Sequence, residues 1–134
     1  MSTVLGIDVG GSGIKGAPVD LEAGDFAEPR LRIVTPHPSS PKNVAAVISE
    51  IVANYADTIG DGPVGISLPA PIRHGVVAFM ANLDQKWTGL NAEEYLSDKL
   101  GRPVTVLNDA DAAGVAEVHF GAASGVPGVV ILTT

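Results

Sequence analysis

Hydrophobic and polar positions along this chain alternate in a way that marks out its elements. Val4 to Val9 is an apolar run with one carboxylate, Asp8, near its end, and Ile14 to Val19 reads as a second strand. Between them stand Gly10, Gly11, Ser12 and Gly13. Residues 20–29 are polar with Gly24 and Pro29 and predict a turn, while Arg30 to Val34 alternates charged and apolar as a half-exposed third strand. Three strands in succession predict a meander. Ser40 is a good N-cap with Pro41 at the first helical position. Val44, Val47, Ile48, Ile51, Val52 and Tyr55 follow at helical spacing, and Gly60 ends that helix.

The second half has shorter runs. Pro63 to Leu68 predicts a buried strand, and 72–80 a hairpin turning at His74-Gly75. Ala81 to Leu90 is a loop that holds Asn82 and the only tryptophan, Trp87. Asn91 with Glu94 three residues on caps a second helix, which Gly101 and Pro103 end. Val104 to Leu107 is another buried strand, closed by Asn108-Asp109. A helix over about 110–120, a loop over 121–128 and a strand over 129–134 complete the order. The βαβ portions favour parallel pairing and the opening meander favours a mixed sheet, so the expected class is α/β.

Composition narrows the function classes. The 134 residues suffice for one domain with a real core, and 46 % are hydrophobic but only 4 % aromatic, which suits sheets covered by helices. The formal charge of −7, with no basic cluster, argues against nucleic acid and anionic membrane as partners. There is no cysteine, hence no disulfide framework and no thiolate metal site, and a reducing cytoplasm is compatible with that. No signal-peptide pattern precedes the first strand and no apolar run approaches the length of a membrane span.

The richest chemistry lies in Gly6 to Lys15. Glycine lets a backbone turn sharply and approach a bound group, and successive N–H groups in such a turn form an anion-binding concavity. A carboxylate beside it, Asp8, is where Mg²⁺ would sit, because that ion takes oxygen ligands and keeps several waters. Lys15 can steer a phosphate. The segment does not fit a P-loop, since Lys15 is followed by Gly16, nor a Rossmann fingerprint, since a strand follows instead of a helix. A glycine turn that binds nothing is the alternative. Asp109, between a buried strand and a helix start, is either a carboxylate that takes a proton from a substrate hydroxyl or simply a helix N-cap. Asn82 and Asn108 offer amides to sugar hydroxyls, with turn chemistry as the alternative. Ligands on sheets of this kind sit at the carboxyl ends of strands, and Asp8, Ser67 and Asp109 all lie near such ends.

Together these segments resemble a known family. Asp8 to Lys15 is similar to the first phosphate motif of the actin-like ATPase and sugar-kinase superfamily, and Leu107 to Gly114 resembles the catalytic-aspartate motif of the ROK family (repressors, open reading frames and kinases). Ala81 to Asp84 with Trp87 resembles the sugar-binding loop of ROK glucokinases, with wording closest to those that use polyphosphate. The resemblance implies a ribonuclease H-like domain: a mixed sheet with helices on both faces. It implies transfer of a phosphoryl group from polyphosphate or ATP to the 6-hydroxyl of glucose, with Asp109 as general base and Asn82 and Asn108 on glucose. Gly10, Gly11, Ser12 and Lys15 would hold donor phosphate, Asp8 would serve Mg²⁺, and the protein would be a cytoplasmic homodimer.

Family members carry a second domain with another glycine-rich loop. Residues 1–127 would therefore be the first domain and 128–134 the first strand of the second. The chain alone is expected to be inactive and to self-associate through 129–134. An ATP-dependent kinase for another hexose is one alternative. Another is a sugar-binding regulator fragment, although the first motif starts too early to leave room for a preceding winged helix.

Overall fold

The computed structural model describes residues 3–20, 22 and 25–108. Asp109, the helix expected over 110–120 and the strand expected over 129–134 lie outside them. The first strand, β1 (Thr3–Val9), runs antiparallel to β2 (Gly13–Asp20), with Asp8 opposite Lys15 and Ile7 opposite Gly16. The meander is present with one addition. Within the polar 20–29 stretch, β3 (Asp25–Phe26) pairs with the far end of β2, and β4 (Leu31–Val34) pairs with its near end, Gly13 to Gly16. Two parallel strands extend the other side of β1: β5 (Val64–Leu68), then β8 (Val104–Asn108). Among the described residues this is a six-stranded mixed sheet.

Strand periodicity divides the sheet into two faces. Leu5, Ile7 and Val9 line up with Ile14, Ile66, Leu68, Val104 and Val106 on one face, and all are buried. Helix α1 (Pro41–Asn54) covers this face with Val44, Val47, Ile48, Ile51 and Val52. Its start is as the sequence predicts: Ser40 Oγ accepts from Asn43 N–H at 3.3 Å, with Pro41 in the first turn. Its end is not. The helix stops at Tyr55, and a separate turn, α2 (Ala56–Ile59), carries the chain to Gly60. The Tyr55 hydroxyl donates to Pro29 O at 2.5 Å, so a bond back to the β3–β4 connection holds the residue where the helix breaks.

The predicted hairpin is β6 (Ile72–Arg73) and β7 (Val76–Val77), joined by His74 at φ 52° and Gly75 at φ 81°. Two central residues at positive φ match the twist of the flanking strands. A short 3₁₀ turn (Gln85–Trp87) and α3 (Ala92–Leu100) follow. Asn91 Oδ1 accepts from Glu94 N–H at 3.0 Å, and Gly101 closes α3 in the left-handed region. Leu96 and Ala92 of α3 join the same core as α1. The helices described therefore share one face, and the helix expected over 110–120 lies outside the described residues. Among the described residues no helix is long and apolar enough to cross a membrane.

Candidate active site

The parallel register brings chemistry to one end of the sheet. Asp8 pairs with Ser67, and Leu68, the next residue, pairs with Asn108. The carboxyl ends of β1, β5 and β8 thus lie level, as the sequence predicts for Asp8 and Ser67. Ser67 is 1 % exposed and donates Oγ–H to Asp8 Oδ1 at 2.7 Å. The other carboxylate oxygen, Oδ2, is 3.8 Å from Lys15 Nζ. Asp8 is thereby fixed between a strand on each side, while about a fifth of its side chain stays open. One oriented carboxylate with an open side fits Mg²⁺, which keeps most of its waters and leaves room for substrate phosphate. Among the described residues no group of three or more ligating side chains gathers, so no closed protein cage is formed there.

Gly10, Gly11 and Ser12 make the whole connection from β1 to β2. Gly10 N–H donates to Gly13 O at 3.0 Å and closes the turn. The buried Thr35 then clamps it from outside: its Oγ1–H donates to Gly10 O at 2.6 Å and its N–H to Ser12 O at 3.3 Å. Arg32 Nη2 donates to the same Ser12 carbonyl at 3.2 Å. The carbonyls of Gly10, Ser12 and Gly13 are therefore engaged by the protein. Among the described residues no acceptor takes the N–H groups of Gly11 and Ser12, and both residues are exposed. Free donors on an ordered turn whose carbonyls are tied back make a site for an anion.

The glycines serve this turn by leaving space. None of the three adopts the left-handed region. A methyl at Gly10 would meet Gly13 O at 3.1 Å, and one at Gly13 would lie 2.5 Å from Arg32 Nε. At Gly11 the nearest atom would be Asn82 O, at 3.8 Å, so the loop bearing Asn82 borders the turn. Asn82 is exposed. Asn108 Nδ2 donates to Ala70 O at 2.8 Å, tying the end of β8 to the segment after β5. Trp87 is fully buried, and its Nε1–H donates to Ser39 O at 2.8 Å. The buried, bonded ring makes Trp87 the anchor of the 81–90 loop and leaves it no open face for a ligand. The Asp84 N–H donates to Ser39 Oγ at 3.1 Å and supports the same anchoring.

Two residues were missed by sequence reading, Thr35 and Arg32. A hydroxyl before a proline at a strand end gives little signal, and the register that sets Arg32 opposite Lys15 depends on how β4 returns to β2.

The ROK family model matches residues 4–134. A polyphosphate glucokinase of Mycobacterium tuberculosis is 47 % identical over 131 residues, 97 % of this chain and 48 % of that protein. The inorganic polyphosphate/ATP-glucomannokinase of Arthrobacter sp. strain KM superposes with a TM-score of 0.85 at 43 % identity, covering 96 % of this chain and 52 % of that one. A ROK family glucokinase of Streptomyces griseus, solved with glucose and AMPPNP, gives 0.76 at 30 % identity over 92 % and 38 %. The chain spans about half the length of the curated polyphosphate glucokinase it matches. With the family model running from the first strand to the last residue, this chain belongs to the ROK family.

Proposed function

We propose that this chain is the donor-phosphate domain of a cytoplasmic kinase that moves a phosphoryl group from polyphosphate or ATP to the 6-hydroxyl of glucose. The observation that carries this reading is the β1–β2 turn, whose carbonyls are held by Thr35, Arg32 and Gly10 while the Gly11 and Ser12 N–H groups stay free beside Asp8. Relatives named polyphosphate glucokinase and glucomannokinase support the donor and the sugar class.

The roles follow from position. Gly10, Gly11 and Ser12 cradle the terminal phosphate of the donor. Asp8, held by Ser67 and flanked by Lys15, would hold Mg²⁺, which would offset negative charge on the donor. Asn82, next to the turn, and Asn108, at the end of β8, orient glucose. Asp109 follows Asn108 directly and takes the proton from the 6-hydroxyl. That oxygen then bonds to phosphorus as the bridging P–O bond breaks, and the donor leaves one phosphate shorter. Residues 1–127 would form this domain, 128–134 would open the next, and the complete protein would act as a homodimer.

Gly11→Ala in the full-length protein tests the cradle. The added methyl meets only Asn82 O, at ordinary contact distance, so the fold should hold. It sits beside the free N–H groups, so the donor KM should rise about tenfold or more, the equivalent of one weakened charge-assisted bond. A donor KM within twofold of the parent would remove the turn from the donor site.

A further inference from the structure

We propose that Arg32, and not Lys15, supplies the positive charge that the donor phosphates meet at the β1–β2 turn, and that Gly13 is glycine to seat its guanidinium. The inference rests on the reading of the turn as the donor site.

Two cations stand beside the turn, at opposing positions of neighbouring strands, Lys15 on β2 and Arg32 on β4. They differ in what already neutralises them. Lys15 Nζ is 3.8 Å from Asp8 Oδ2, across from it on β1, and its side chain is largely buried. Its ammonium is held at a carboxylate inside the sheet and is little exposed, so it is less available to a ligand at the open edge of the turn than an exposed side chain is. Arg32 is exposed, and among the described residues no carboxylate pairs with it. Its Nη2 donates to Ser12 O at 3.2 Å, which leaves the remaining N–H groups of the fork to point elsewhere. A rigid planar fork with several donors suits two phosphate oxygens at once, which a lysine cannot match.

The seat for this group is specific. A Cβ on Gly13 would fall 2.5 Å from Arg32 Nε, 2.6 Å from Cζ and 2.6 Å from Nη2. The guanidinium thus lies flat against the Gly13 backbone, where any side chain would displace it. The same loop contributes the free N–H groups of Gly11 and Ser12. An exposed cation and open donors share one edge of the turn, with Asp8 and Lys15 in contact beside it. The ligand class this edge fits is a linear polyanion with adjacent phosphates, one on the N–H groups and the next on the fork.

The experiment measures tripolyphosphate binding to the full-length protein by titration calorimetry with glucose and Mg²⁺ present. Arg32→Gln should weaken the dissociation constant about 10- to 100-fold, the range of one charge-assisted bond to an ionised group. Glucose affinity and the melting temperature should stay near the parent, since the side chain is exposed. Lys15→Gln should weaken tripolyphosphate binding several-fold less than Arg32→Gln. Gly13→Ala, which only pushes a flexible side chain away, should weaken binding like Arg32→Gln, and the double variant should be no worse than either single. Arg32→Gln within twofold of the parent, or Lys15→Gln as harmful as Arg32→Gln, overturns the proposal. If Gly11→Ala weakens binding while Arg32→Gln does not, only the role of Arg32 fails. If neither matters, or the parent does not bind tripolyphosphate, the donor site itself is elsewhere and both readings fall.

Discussion

Gly16→Ala tests how α1 is held against the β1–β2 hairpin. Gly16 faces the helix from the middle of β2, and a methyl there would stand 2.6 Å from Ile51 Cγ2 and 3.3 Å from Ile7 Cγ1. Unstrained carbon pairs sit at about 3.5–4.0 Å. Ile51 is fully buried, so it cannot swing away without disturbing its neighbours. Either the helix moves off the sheet by about 1 Å or Ile51 leaves its rotamer, and overpacking of this kind costs about 1–3 kcal/mol. Replacing glycine recovers about 0.4–1 kcal/mol from the unfolded chain. The net expectation is a loss of about 1–2 kcal/mol. In urea unfolding followed by far-UV circular dichroism, with a slope of about 2 kcal/mol/M, the midpoint should fall by about 0.5–1 M at unchanged slope. Ile51→Ala removes the opposing methyl and is itself costly, by about 2–5 kcal/mol. In that background Gly16→Ala should be neutral or stabilising. An unchanged midpoint for Gly16→Ala in the parent, or the same loss in both backgrounds, would refute the packing described.

Trp87 is the only tryptophan, so its emission should be blue-shifted, poorly quenched by iodide and unaltered by glucose, because the ring is buried and bonded to Ser39. Strong quenching by iodide or by glucose would place the ring at the surface. Burial, and then the nearby Glu28, raise the Tyr55 phenol above its ordinary 10.0. Below pH 10 both states hold the proton; above it the unfolded chain loses it first, so stability should fall as pH rises until the folded group ionises as well. Tyr55→Phe should cost about 1 kcal/mol at neutral pH, through the lost bond to Pro29, and should flatten the decline above pH 10. Equal alkaline slopes for the two proteins would contradict this.

Much of the fold was legible because the signals were local. Ser40-Pro41 and Asn91 with Glu94 act within one helical turn, and His74-Gly75 sets its hairpin through two backbone angles. The order of strands and helices also put Asp8, Ser67 and Asp109 near strand carboxyl ends, and the register sets the first two side by side. What escaped depends on contacts between distant segments. The sequence offers Gly60 as the end of the helix, whereas the helix breaks at Tyr55, which bonds back to the distant Pro29. The pairing of Asp25–Phe26 hides in a polar stretch with no periodicity of its own. Thr35 and Arg32 reach the β1–β2 turn only because β4 folds back along β2, a register the sequence does not spell out. The glycines were visible, but their reason was not: Gly13 makes room for a guanidinium nineteen positions along the chain. Asp109 and its surroundings lie outside the described residues, so its role rests on the motif.

The most direct test of the account is a product assay on the full-length protein with glucose, Mg²⁺ and polyphosphate or ATP, comparing the parent with Asp109→Asn. Asparagine keeps the shape of the side chain and can still cap a helix, so the melting temperature should stay close to the parent. The parent should form glucose 6-phosphate, and the variant should lose about 10²–10⁴ in rate through loss of the base. Absence of a phosphorylated sugar with either donor, or near-normal turnover by the variant, would contradict the account.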